Sequence, residues 1–315
     1  MITKKTTWFL LVIILLALSI NLISIDSKFI RLIYQSKIPI ANRIEVKNNF
    51  AYVYNDWYVY IYSLTNQWTP LLETAFQSKY PITDIEMLDK NHIYICSHEP
   101  TNEVSEIDSL NTLGRIYFGS KLTCNKAIRE GNLVYTTHRE NGLEIYDISK
   151  NLYPEKLSSF SEKWGIIDFL VQYPTLHALN DFGYINIDLS DLKQPRSVGT
   201  NYEIIEGNVL SQNRNIVWIG AKNNLYAIEI TYPENPVIIN RYRFSSEIND
   251  LKARGNDLFV ALKSTGLKIL DITNPKKIAE KNSYYNRSGF LTVDVDGDYV
   301  YLGAGLKGWL ILEYR

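Results

Sequence analysis

The chain has no surplus of either charge. Its 33 Lys and Arg nearly cancel its 34 Asp and Glu, leaving a formal charge of -1. The basic field that draws a protein to nucleic acid is therefore missing, and no nucleic-acid partner is expected. Histidine and cysteine are scarce, at 4 and 2 in 315 residues. His92, His98, His138 and His177 show no i, i+4 or H-x-H spacing, so they do not suggest a metal site. No Ser, His and Asp grouping recurs at a defined strand end, so a nucleophile elbow finds no support. Helical periodicity is lacking everywhere after residue 27.

Apolar and aromatic residues are plentiful, at 46% and 13% of the chain, with 23 tyrosines. That is enough to bury a large core, and the Tyr, Ile and Val content favours strands over helices.

Residues 1–27 stand apart. The run TTWFLLVIILLALSINLISI (6–25) holds twenty uncharged residues, which as a helix would be about 30 Å long, enough to cross a bilayer. Lys4 and Lys5 precede it, so the N-terminus is expected in the cytoplasm and the rest on the exported side, periplasmic or extracellular. The rival reading is a signal peptide cleaved near Ala17 to Ser19, which would release a secreted chain. The apolar run continues past that point, which favours an uncleaved signal-anchor. No cysteine follows it, so lipoprotein-type anchoring there is excluded.

Residues 28–315 are repetitive. GLEIYDIS from Gly142, GYINIDLS from Gly183, NLYAIEIT from Asn224, GLKILDIT from Gly266 and GWLILEY from Gly308 start 41, 41, 42 and 42 residues apart. YVYIYSLT from Tyr58 joins the series, and EVSEIDSL from Glu103 fits it poorly. Each unit reads as four short antiparallel strands, which predicts an all-β, seven-bladed β-propeller with one hydrophobic helix ahead of it. The last unit has only three strands, while KFIRLIYQS (28–36) is a fourth strand with no unit of its own. The N-terminal strand is therefore expected to complete the last blade and close the ring.

At GLKILDITNP the sequence resembles the LVIVD-repeat propellers, whose third strand reads Leu-x-Ile-x-Asp and runs into Ser/Thr-x-Pro. Leu267, Ile269, Asp271, Thr273 and Pro275 match, as do Leu143, Ile145, Asp147 and Ser149. Ser63, Glu229 and Glu313 depart from the Asp position. The resemblance implies an exported or surface-associated repeat protein and transfers no catalytic residue. The acids themselves read as turn-holders that accept backbone N–H bonds.

Other motifs dissolve on inspection. GAGLKG (303–308) leaves no room for the helix that a dinucleotide site needs, and DVDGD (294–298) falls where other units have hairpin turns. Cys96 and Cys124 lie in neighbouring units, where an exported chain permits a disulfide, but sequence does not place their Cα atoms within bonding distance.

One pattern points to binding. Arg43, Asp84, Lys126, Asp168, Asn208, Asp250 and Thr292 recur 40 to 42 residues apart in the first strands. They are expected to face the central channel, where converging polar groups can hold a ligand. Three Asp and one Asn suit a hard cation such as Ca²⁺, but Arg43 and Lys126 oppose it, so no cofactor is expected. Loops on the same face offer Trp57, His98, His138, Arg139, Phe182, Lys222 and Lys263. The expected function is a monomeric, membrane-anchored binding or scaffold module, non-enzymatic, that meets a protein or glycan at the channel mouth. The alternative is a channel-cation enzyme, lactonase-like or polysaccharide-active.

Overall fold

The computed structural model describes residues 29–37, 39–88, 92–97, 102–106, 115–118, 124–138, 142–150, 154–161 and 165–315. These form a β-propeller of four-stranded antiparallel sheets. Six blades, at 43–77, 82–118, 126–160, 168–201, 207–243 and 248–284, each take four strands consecutive in the chain. A further sheet joins both ends of the chain, in the order Ile30–Ser36, Trp309–Tyr314, Tyr299–Gly303, Thr292–Asp296.

The expectation of a seven-bladed propeller behind an N-terminal helix is thus corrected. Counting 42-residue periods gives each period a blade, whereas the last period supplies three strands, and only six blades are contiguous units. No helix occurs among the described residues, and the hydrophobic segment at 1–27 lies outside them.

Within a blade, polarity tracks distance from the axis. The second strands are buried on both sides, as Ile216–Ala221 and Asp257–Leu262 show along their whole length. The fourth strands at the rim, such as Ala279–Tyr284, are half-buried to exposed. The core is divided among the seams between neighbouring sheets. Trp218, Leu225 and Leu251 pack in one seam, Phe259, Ile269 and Val300 in the next, and Tyr62, Tyr301 and Trp309 in the seam that closes the ring. Each fully buried aliphatic or aromatic side chain contributes roughly 1.5–3 kcal/mol.

The glycine that opens the third strand has a steric reason. Gly266 has φ +96°, and a Cβ there would lie 2.2 Å from the carbonyl oxygen of Tyr284. Gly308, φ +81°, meets Ser36 in the same way. The backbone of the fourth strand approaches too closely for any side chain. The repeated acid has an equally local role: Asp147, Asp188 and Asp271 accept the backbone N–H of Ser149, Ser190 and Thr273 at 2.7, 2.9 and 2.9 Å. All three carboxyls sit below their usual range: at Asp188 and Asp271 the side chains of Ser190 and Thr273 lead and the backbone N–H groups follow, and at Asp147 the Ser149 N–H leads.

Cys96, at the end of a second strand, and Cys124, just ahead of the next blade, form a disulfide with a Cα–Cα distance of 4.9 Å. It crosses the seam between the second and third blades. Strand direction sorts the loops into two faces. Connections from second to third strands, and from each fourth strand to the next first strand, open on the channel-mouth face; the remaining turns lie opposite.

Candidate functional site

The first strands line the channel, and their register shows which of the expected ring residues are equivalent. Arg43, Asp84, Lys126, Asp168, Asp250 and Thr292 pair with Tyr54, Cys96, Thr137, Leu179, Ala261 and Gly303. In the fifth blade Val209, paired with Gly220, takes this place, and the register shifts just ahead of it, between Gly207 and Val209, as it does ahead of Asp84 and Asp250. Asn208 sits in that irregularity and donates to the carbonyl of Ile248 at 3.2 Å. It belongs with Thr83, Asn125 and Asn249, which donate to the carbonyls of Cys124, Ile166 and Phe290 at 2.6, 3.3 and 2.7 Å. Each of these contacts ties one blade to the next.

The ring carboxylates also reach across seams. Asp84 accepts from the N–H of Ala127 at 2.9 Å and from the Tyr54 hydroxyl at 3.0 Å. Asp168 accepts from Leu210 N–H at 2.9 Å and pairs with Lys126 at 2.6 Å. Asp250 accepts from Val293 N–H at 2.9 Å, from the Thr292 hydroxyl at 2.8 Å and from Leu251 N–H at 2.9 Å. Every one of these acids therefore holds the backbone of the following sheet.

Electrostatics in the channel follow from burial against pairing. Burial raises the carboxyl pKa of Asp84 and Asp250; Lys126 and the Ala127 N–H restrain the first, Arg43 and the Val293 N–H the second. Burial works against the charge of Arg43 and Lys126, yet both pKa values are raised. For Arg43 the Tyr54 hydroxyl and the carboxylates of Asp250, Asp84 and Asp168 prevail, and for Lys126 those of Asp168, Asp84 and Asp250. The cations are thus shared by carboxylates of several blades.

A second polar layer lies two residues further along the first strands and was missed in the sequence. Glu45 takes the Tyr54 hydroxyl at 3.1 Å, Glu86 takes Lys47 at 2.7 Å, and Asp294 takes Lys252 at 2.8 Å and the Val46 N–H at 2.8 Å. Burial, with repulsion from Asp84, Glu86 and Asp294, pushes Glu45 well above the ordinary carboxyl range. The two-residue strand period, applied to the first ring, would have found the three acids and Lys252. Among the described residues no group of three or more His, Cys, Asp or Glu is placed to hold a metal ion.

The expected loop residues separate. Trp57 and Phe182 are exposed on the mouth face. Lys222 and Lys263 form surface ion pairs with Glu206 and Glu247, both at 2.6 Å. His138 turns inward instead: it is 1% exposed, with Nε2 3.1 Å from Glu144. Burial opposes ionisation of Glu144, but hydrogen bonds from His138, Lys156 and Tyr146 outweigh it and hold the carboxyl at about 2. His98 and Arg139 lie outside the described residues.

Residues 247–286, the sixth blade, match the LVIVD repeat model. No curated protein matches the chain. Among solved structures, the computationally designed Ika8 protein superposes with a TM-score of 0.65 at 11% identity, over 90% of this chain and 98% of that one. Sqt1 of Saccharomyces cerevisiae gives 0.65 at 10%, over 85% and 81%. A chain of a mitotic checkpoint complex gives 0.70 at 10%, over 91% and 94%. Identities this low speak to fold alone. Sheet topology and repeat match together make this chain a β-propeller that carries an LVIVD repeat.

Proposed function

We propose that the protein is an exported, membrane-anchored binding module, non-enzymatic, whose channel-mouth face receives a protein partner. The carrying observation is an apolar patch beside the ring. Ile40, Leu291 and Leu306 are 43%, 41% and 82% exposed, and Tyr285, 72% exposed, lies on the same face. The bridge between Ala41 and Gly305 joins the first and third of these segments, and Leu291 directly precedes Thr292 of the ring. Large apolar groups held in water by short, hydrogen-bonded loops are what a protein interface presents at its centre. The apolar run at 6–25 supports the anchored, exported placement.

Chemical cross-linking in native membranes, followed by purification of the full chain, is expected to recover a specific protein. The Leu306→Glu, Tyr285→Glu double variant should lose it while remaining folded, since both side chains face solvent. Equal recovery by both proteins, or a chain found free in the cytoplasm, would overturn the proposal. The channel gives a second test. With its carboxylates engaged by backbone N–H groups and by Arg43 and Lys126, millimolar Ca²⁺ is expected to leave the melting temperature unchanged, and EDTA likewise. A channel-cation enzyme would instead gain stability by mass action.

A further inference from the structure

The repeat departs from its own pattern in one blade. At one register position of the second strand, six sheets carry an aromatic ring: Tyr52, Tyr94, Tyr135, Trp218, Phe259 and Tyr301. Each faces an apolar residue of the third strand: Ile61, Val104, Ile145, Ala227, Ile269 and Ile311. The fourth blade puts His177 opposite Asn186 instead, with Tyr184 two residues away in the same strand. All three are at most 1% exposed. The six sister positions pair an aromatic residue with an aliphatic one, so setting an imidazole against an amide there, with a phenol beside them, is a cost that packing does not require.

The hydrogen bonds fix the state of the imidazole. Asn186 donates its Nδ2 to the carbonyl of Pro233 in the next blade at 2.6 Å, which turns Oδ1 toward its neighbours. That oxygen accepts from the Tyr184 hydroxyl at 2.6 Å, which commits the hydroxyl proton, and Nδ1 of His177 lies 2.6 Å from the Tyr184 oxygen and 2.6 Å from the amide oxygen. Because the oxygen only accepts, Nδ1 carries the hydrogen and Nε2 is a bare acceptor. Nε2 is buried with no hydrogen-bond partner among the described residues. Burial holds the imidazole at about 4, so it stays neutral in ordinary buffers.

His177 lines a cleft of about 500 Å³ between the fourth and fifth blades, on the face opposite the channel mouth. The same cleft is edged by Tyr173, Arg214, Asn215, Thr231 and Pro233. An unpaired acceptor calls for an O–H or N–H donor. The 62%-exposed Tyr173 offers a ring to stack on, Arg214, held by a 3.4 Å bond to Asn256, offers a charged fork for a carboxylate, and Asn215 and Thr231, bonded to each other at 2.8 Å, keep a second amide hydrogen and the hydroxyl proton for a polyol. We propose that this cleft binds an acidic saccharide, with a ring hydroxyl donating to Nε2 of His177 and a carboxylate meeting Arg214.

The test titrates the whole chain in detergent with tetragalacturonate and with a neutral galactose tetramer. Saturable binding of the acidic tetramer is expected. The His177→Phe, Tyr184→Leu, Asn186→Ile variant installs the trio found in the sixth blade, Phe259, Leu267 and Ile269, and strands no buried hydroxyl, so it should fold, and it should bind about ten-fold more weakly, the loss of one good hydrogen bond. Arg214→Ala, at an exposed position, should abolish the preference for the acidic tetramer. Wild-type protein supplies an independent readout: a hydroxyl donated to the bare Nε2 of His177, too buried for chemical labelling, should move that nitrogen's NMR resonance upfield in 15N-histidine-labelled protein when tetragalacturonate binds. No saturable binding, unchanged binding in the triple variant, equal affinity for both tetramers, or an unmoved Nε2 resonance would each overturn the assignment.

Discussion

Removal of residues 30–36 from the full chain should lower the melting temperature by roughly 10 °C or more and drive the protein into aggregates. At 2–4 °C per kcal/mol for a domain this large, that corresponds to a loss of several kcal/mol. The strand Ile30–Ser36 pairs along its length with Trp309–Tyr314, from Ile30 against Tyr314 to Ser36 against Trp309. Tyr34 packs on the fully buried Trp309 at a centroid distance of 4.8 Å, and Tyr62 of the first blade packs on the same indole at 4.9 Å. Deletion uncovers this ring and strips the hydrogen-bonding edge of the strand that carries it. An exposed, apolar, unpaired edge is a template for self-association. Size-exclusion chromatography with thermal melts decides the matter: a monomer with an unchanged melting temperature would show that the ends contribute nothing to closure.

Asp250→Ala should cost about 3 kcal/mol, read by urea unfolding, because it strands buried donors rather than because it removes a charge. The N–H groups of Val293 and Leu251 and the hydroxyl of Thr292 all lose their acceptor at once. Burial raises the Asp250 pKa, so the folded state disfavours the ionised form and holds its proton to higher pH than the unfolded chain does. The sign of the linkage follows: the contribution of this group is greatest in acid and declines as pH rises through its folded pKa. Asp250→Asn keeps an oxygen acceptor without the charge and should cost less than about 1 kcal/mol. Equal losses in the two variants would mean that charge, through Arg43, is the stabilising term. No loss in either would return the ring to the role of a ligand site.

Much of the architecture was legible because the repeat writes it many times. The glycine before the third strand, the acid before the following turn and the even spacing each reflect a local need that recurs in several blades, such as the approach of Tyr284 to Gly266. Departures from the repeat were harder to see. Asn208 looked like a ring residue because counting back 42 residues from Asp250 lands on it, one residue short of Val209, which only strand pairing with Gly220 puts in the ring. His138 looked like a loop residue because it ends a strand, but Glu144 draws it inward. His177 carried no spacing signal, since its partners Tyr184 and Asn186 are brought to it by strand pairing. The disulfide was open in the sequence for the same reason: 28 residues of separation say nothing about the seam that brings Cys96 to Cys124.

The closing strand also sets the mechanics of the molecule. A pull through the N-terminus arrives first at Ile30, at the end of the pair where Tyr314 sits, and runs into an antiparallel ladder from its tip. Such a ladder yields by unzipping, one residue pair at a time, instead of resisting in shear. The irregular register between Leu32 and Tyr34 gives the zipper an early weak step. Beyond it lies the cluster of Tyr34, Tyr62 and Trp309, which acts as a catch. Low tension would thus free only the first two or three residues and leave the ring shut, whereas tension that passes the catch would spring the ring open at a single seam.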